Sequence, residues 1–209
     1  MQAYYAERAR EELRAKGKTV IVSLASSGLV HFSRNGCLGR RGSRKDQKPF
    51  QGMIEYDRLI WIDADNLISA GQIEKLISWD VDIAAAWYRI HAGYGEINDM
   101  NFTSCGLWDA GKDAPRPYLV AEMKKFAQKE SLIEAGYAGL GLMVVKHGVF
   151  ESMSYPWFTS WTVEWEKNGA TYAEMTTDDS AFAIRAREHG FKVYVDPAIQ
   201  IDHEKKILI

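Results

Sequence analysis

Apolar and polar positions change rhythm several times along the chain, and each rhythm predicts an element. Tyr5, Ala9 and Leu13 recur at helical spacing in a charged segment. They predict a helix over 2–16, closed by Gly17, the residue type that best tolerates the left-handed position past a helix end. The β-branched run 19–24 (TVIVSL) predicts a buried strand, as does 58–62 (RLIWI). Between them, over 25–50, the pattern breaks down. A helix over 70–78 carrying Ile73, Leu76 and Ile77 comes next, then a strand over 81–87. The polar, glycine- and aromatic-bearing stretch 89–117 predicts a hairpin, and 124–130 is charged without a clear period. An apolar strand over 141–145 and a short helix over 147–152 follow. A helix over 177–190 places Phe182, Ile184 and Ala186 inside and Gly190 just beyond its end. The last strand, 191–195, is stopped by Asp196-Pro197.

Strands alternate with helices in the first half, and later strands arrive after long insertions. That order predicts an α/β fold in a single domain over 1–209. Its mostly parallel central sheet would contain 19–24, 58–62, 81–87, 141–145 and 191–195, with helices on both faces. The irregular second half would build a substrate wall. No internal repeat, low-complexity tract or domain linker interrupts this plan.

Composition narrows the function classes. A net charge of -2 and a pI near 6.2 argue against nucleic acid as the main partner. Two cysteines, Cys37 and Cys105, are too few for a disulfide framework or a paired-cysteine zinc site, which fits a reducing, cytoplasmic setting. No apolar run approaches the roughly 20 residues needed to span a bilayer, and the charged opening segment is not a signal peptide. The stretch 40–48 holds five basic residues and one acid and predicts a solvated surface loop.

The chemistry concentrates where the strand 58–62 runs out of core into Asp63-Ala64-Asp65. Open α/β sheets place ligand sites at the carboxyl ends of strands. Alternation puts positions i and i+2 on one face, so the two carboxylates would converge and repel unless a cation or a hydrogen-bond donor holds them. A hard divalent ion carrying a phosphate ester suits them. The plainer account makes Asp65 or Asn66 a helix N-cap. Four other segments carry candidate chemistry. Gly139 and Gly141 permit close backbone approach of a ligand ahead of a strand. Trp157 and Phe158, in a Tyr-Pro-Trp-Phe run, offer aromatic faces for a sugar ring or simply core. Asp178 and Asp179 open a helix, as capping acids or as a general base. His203 follows the last strand, where a metal ligand would arrive.

Taken in order, these segments resemble the GT-A class of nucleotide-sugar glycosyltransferases, particularly the family-2-like group of bacteria and viruses. The matching text is YDRLIWIDADN (56–66), GLGLMVVKHGVF (139–150), Pro156 to Phe158, and TDDSAFAIRAREHGFKVYVDPAIQIDH (177–203), with Ser33-Arg34-Asn35 similar to an arginine-asparagine element ahead of the D-x-D strand. The resemblance implies a GT-A-like (Rossmann-like) domain that moves a sugar from a nucleoside-diphosphate sugar to a hydroxyl of a glycan or other acceptor, with inversion. It implies a divalent metal, Mn²⁺ or Mg²⁺, ligated by Asp65 and His203, with Asp63 toward the ribose or a metal-bound water. Arg34 and Asn35 would serve the donor. Gly139, Gly141, Trp157 and Phe158 would line the acceptor side. Asp179 would be the base, with Asp178 beside it. The family usually begins with a strand whose loop holds the nucleotide base, whereas this sequence opens on the 2–16 helix; that strand is either absent or lies outside this sequence.

Two other classes compete. A haloacid-dehalogenase-type phosphatase also carries D-x-D after an apolar strand, but it wants Thr or Val where this chain has Leu67. A sugar- or nucleotide-binding module that has lost transfer would keep the aromatic and acidic segments without turnover. Metal-dependent hydrolysis of a nucleotide-sugar, with and without acceptor, separates the three.

Overall fold

The computed structural model describes residues 4–39, 44–90, 101–109 and 112–203. In chain order the elements are α1 (Tyr4–Ala15), α2 (Val30–Cys37), a 3-10 turn (Pro49–Gly52), β1 (Arg58–Ile62), β2 (Asn66–Leu67), α3 (Ala70–Ser78), β3 (Ile83–Trp87) and β4 (Arg89–Ile90). They continue with β5 (Phe102–Leu107), β6 (Arg116–Leu119), α4 (Val120–Ala127), β7 (Ile133–Ala135), β8 (Tyr137–Ala138), β9 (Leu142–Lys146) and α5 (Val149–Ser152). The chain closes with β10 (Thr162–Lys167), β11 (Ala170–Met175), α6 (Asp178–Glu188), β12 (Val193–Gln200) and β13 (Asp202–His203). Part of the predicted basic loop, 40–43, and part of the predicted hairpin stretch, 91–100, lie outside the described residues.

The fold is α/β, but the central sheet is not mostly parallel. Its order is β1-β9-β3-β12-β7, and only the β12–β3 pair is parallel. The reason lies in the insertion between β3 and β9. β1 and β3 run in the same direction, as a strand-helix-strand unit requires. β9 returns between them, antiparallel to both.

Alternation along the central strands sends side chains to two cores. Ile83, Ala85, Met143 and Val145 face one, completed by Phe150, Phe158 and Phe182. Ala84, Ala86, Leu142 and Val144 face the other, covered by Ala9 and Leu13 of α1 and Ile73 and Leu76 of α3. Helices therefore cover both faces, as the sequence predicts. α1 ends as expected: Gly17 has φ +78°, and the Lys18 N–H donates to Leu13 O at 3.1 Å to close the last turn.

The predicted strand 19–24 is absent. The segment is extended without ladder partners, and Ile21 and Leu24 are 66% and 81% exposed. A β-branched run becomes a strand only where a neighbouring strand satisfies its backbone, and none of the described strands pairs with it. Leu24→Ser is therefore expected to change unfolding free energy by less than about 0.5 kcal/mol, whereas Ile73→Ala should cost about 2–4 kcal/mol. Urea unfolding distinguishes the two sites; a large Leu24 effect would restore the segment to the core. The last strand also departs from expectation, because β12 passes through Asp196-Pro197 and continues to Gln200 after a register shift.

Candidate functional site

The D-x-D acids lie in a turn. β1 ends at Ile62, and the Asn66 N–H donates to Asp63 O at 3.2 Å, closing a turn over 63–66. Strand alternation therefore does not orient these acids; the turn does. Neither Asp65 nor Asn66 caps the following helix. Ser69 caps α3 and forms a reciprocal box with Gln72.

The group that gathers the site is Arg34, on α2. Its Nη1 donates to Asp178 Oδ2 at 2.8 Å, and its Nη2 reaches both oxygens of Asp63 at 3.1 and 3.2 Å. One guanidinium thus ties the D-x-D turn to the start of α6. Only 8% of Arg34 is exposed. Burial works against its charge, but Asp63, Asp178 and Asp179 outweigh that penalty and hold it above its ordinary basicity. Both terminal nitrogens of Arg34 serve protein carboxylates, while its buried Nε has no hydrogen-bond partner among the described residues. Both oxygens of Asp63 accept from Nη2 alone, and the side chain stays one-third exposed.

Asn35, the next residue, is a structural staple. Its amide N–H groups donate to His31 O and Phe158 O, each at 2.7 Å, and its Oδ1 accepts from the N–H groups of Trp157 and Phe158 at 3.1 and 3.3 Å. No polar capacity remains for a ligand. Trp157 and Phe158 are themselves buried and present no face to a sugar. The acceptor role expected of them is corrected to core packing. Arg185 of α6 completes the clamp, donating to Ser154 O at 2.5 Å, to Trp157 O at 3.0 Å and to Pro156 O. This second cation, seven residues after Asp178 in the same helix, carries no signal in the sequence beyond its place in the motif.

At the start of α6 the two acids part company. Asp178 is buried against Arg34. Asp179 is partly exposed; its Oδ1 accepts from the Ser180 N–H at 2.8 Å and from the Thr177 hydroxyl. Thr177 occupies the N-cap position without a side-chain cap. Burial pushes the Asp179 carboxyl above the usual carboxylate range; Thr177, Arg34 and the Ser180 N–H pull it back, while Asp178 adds to the rise. A raised carboxyl matches a general base better, because base strength and availability are balanced nearer neutral pH.

At the D-x-D turn the Asn66 amide N–H donates to Asp65 Oδ1 at 3.4 Å. Asp65 is partly exposed there, and the buried Asn66 Oδ1 has no hydrogen-bond partner among the described residues. β13 pairs with β2 so that His203 stands opposite Asn66 in the ladder, next to Asp65 in sequence. Only the backbone of His203 is described; the metal role expected of its imidazole lies outside the described atoms. Among the described residues no three His, Cys, Asp or Glu side chains form a metal cage. One carboxylate and one amide oxygen fit a cation held largely by substrate phosphates, which is the usual habit of Mg²⁺.

Gly139 and Gly141 do not face a ligand. A Cβ at Gly139 would lie 2.5 Å from Tyr88 Oη, and one at Gly141 2.7 Å from Tyr88 Cε1. The glycines seat a tyrosine, and the acceptor role expected of them is corrected to that. Tyr88 is the residue sequence reasoning passed over. Its signal was available: a phenol follows directly on the fully apolar strand β3, as the D-x-D acids follow β1.

No family model matches the chain, and no curated protein matches it. Among the described residues no helix is long and apolar enough to cross a membrane. Among solved structures the chain is similar to A197 from STIV, with a TM-score of 0.52 at 16% identity, over 95% of this chain and 80% of that one. At that identity the likeness speaks for the fold alone, and the α/β fold is what the two proteins share.

Proposed function

We propose that this chain is a metal-dependent glycosyltransferase that moves a sugar from a nucleoside-diphosphate sugar to an acceptor hydroxyl, with inversion. The observation that carries the reading is the Arg34 bridge. It ties the D-x-D turn to the start of α6, although they stand far apart in sequence. Asp65, Asn66 and the 202–203 strand would receive the metal and diphosphate. When bound, a divalent cation would neutralise charge on the departing nucleoside diphosphate. Asp179 would take the proton of the acceptor hydroxyl as its oxygen attacks the anomeric carbon. Arg34 would keep Asp63 and Asp178 fixed. Cys37 and Cys105 are unpaired and fit a cytoplasmic site of action.

A second reading, a nucleotide- or sugar-binding module without turnover, is favoured by one feature: the β-branched segment 19–24, ahead of α2, is largely exposed instead of packed into the sheet. Calorimetry with UDP, GDP and their sugar esters, with and without Mn²⁺, tests both. The transferase reading expects Mn²⁺ to bind weakly alone and tightly with nucleotide, and expects slow sugar release to water. Nucleotide-sugar binding without any release or transfer would establish the module. Metal-independent binding, or none, would end the transferase reading.

A further inference from the structure

We propose that Tyr88 is a further residue of this site, a hydroxyl that hydrogen-bonds the transferred sugar beside the D-x-D turn. The proposal rests on the transferase reading above and adds a contact to the sugar itself.

The backbone fixes where Tyr88 stands. Its N–H donates to Ser104 Oγ at 3.2 Å, and its carbonyl accepts from the Ser104 N–H at 2.9 Å, where the end of β3 meets β5. One edge of its ring lies along the strip from Gly139 to Gly141. A Cβ at Gly139 would also sit 3.1 Å from Cζ, and one at Gly141 3.0 Å from Cδ1. Real side chains do not come so close, so either glycine, once substituted, would move the ring. The strip itself runs against the D-x-D turn. Gly141 O accepts from the Asp63 N–H at 3.3 Å, and a Cβ on Gly141 would be 3.0 Å from Asn66 Nδ2. Tyr88 therefore lies beside Asn66 and Asp63, held by the glycines that precede β9.

The chemistry of the phenol suits that place. A tyrosine hydroxyl is a neutral O–H near pH 7, able to donate and accept at once. A sugar ring presents hydroxyls that need such partners, and a cationic side chain here would be drawn onto the carboxylates as Arg34 is. If Tyr88 merely filled the core, phenylalanine would serve equally well; yet the ring is only partly buried.

Tyr88→Phe tests this, because it keeps the ring and its seat and removes one oxygen. Affinity for UDP or GDP with Mn²⁺ should stay unchanged. Affinity for the sugar-bearing donor and kcat/KM of transfer should fall about tenfold or more, since a hydrogen bond made only to the sugar is lost. Gly139→Ala should reproduce that split by displacing the hydroxyl while retaining it. Equal transfer by Tyr88→Phe and the natural protein would overturn the proposal and leave the transferase reading standing. Loss of nucleotide binding together with a lowered melting temperature in Tyr88→Phe would assign the residue a packing role and overturn it as well. A natural protein that binds no nucleotide-sugar with Mn²⁺ would remove both.

Discussion

Asp179→Asn is expected to lower glycosyl transfer by roughly 10²–10⁴-fold while donor affinity stays near its original value. The amide keeps an oxygen for the Ser180 N–H, so the first turn of α6 loses little. What disappears is the group that can accept a proton. The pH profile adds a second check. A base acts in its ionised form, so transfer should fall as pH drops through the pKa of Asp179. Burial raises that pKa, so the acid limb should lie above the roughly pH 3.9 of an ordinary aspartate. In Asp179→Asn the limb should vanish along with most of the rate. Near-natural transfer by the variant, or a product with retained anomeric configuration, would sink the assignment.

Arg34→Met is expected to produce the largest loss of stability of any single substitution at the site. Removing one partner of a buried ion pair typically costs about 3–5 kcal/mol. Asp63 is one-third exposed, and solvent screens its share, so about 3 kcal/mol is the expected deficit at neutral pH. For a chain of this length that lowers the melting temperature by roughly 6–12 °C. A second variant separates charge from packing. Arg34→Lys keeps a cation beside the two carboxylates and should recover part of that deficit in thermal melts; equal losses in Arg34→Lys and Arg34→Met would mean that the charge contributes nothing.

Much of the architecture was legible because burial leaves a periodic trace. β1 and α3 occur over the predicted residues, since RLIWI and the Ile73-Leu76-Ile77 face are each committed to one core. The run 19–24 misled because propensity cannot say whether a partner strand exists. β9 was found but its direction was not: LMVVK reads the same whether its neighbours run parallel or antiparallel. At the site, Asp63, Asp178 and Arg34 were each singled out, but not that one would neutralise the other two. That depends on α2, whose eight residues, VHFSRNGC, are too few for a helical period to stand out. The glycines were noticed for the right property, close approach, and given the wrong visitor. The aromatic pair at 157–158 could have been surface or core on composition alone; the Asn35 staple decides it.

The β10–β11 ribbon has a consequence for how such a protein can diversify. It projects between the 154–158 segment and α6, and all of β11 is exposed. Its root is closed by Thr176, whose N–H donates to Trp161 O at 2.8 Å and whose hydroxyl accepts from the Trp161 N–H at 3.0 Å. Along its length Trp165 stacks on Tyr172 at 5.8 Å. Outward of that root Trp165 is buried, while the left-handed Asn168-Gly169 tip is exposed. Change is therefore tolerated most readily at the tip, where a longer or shorter turn would not ask the sheet to refold.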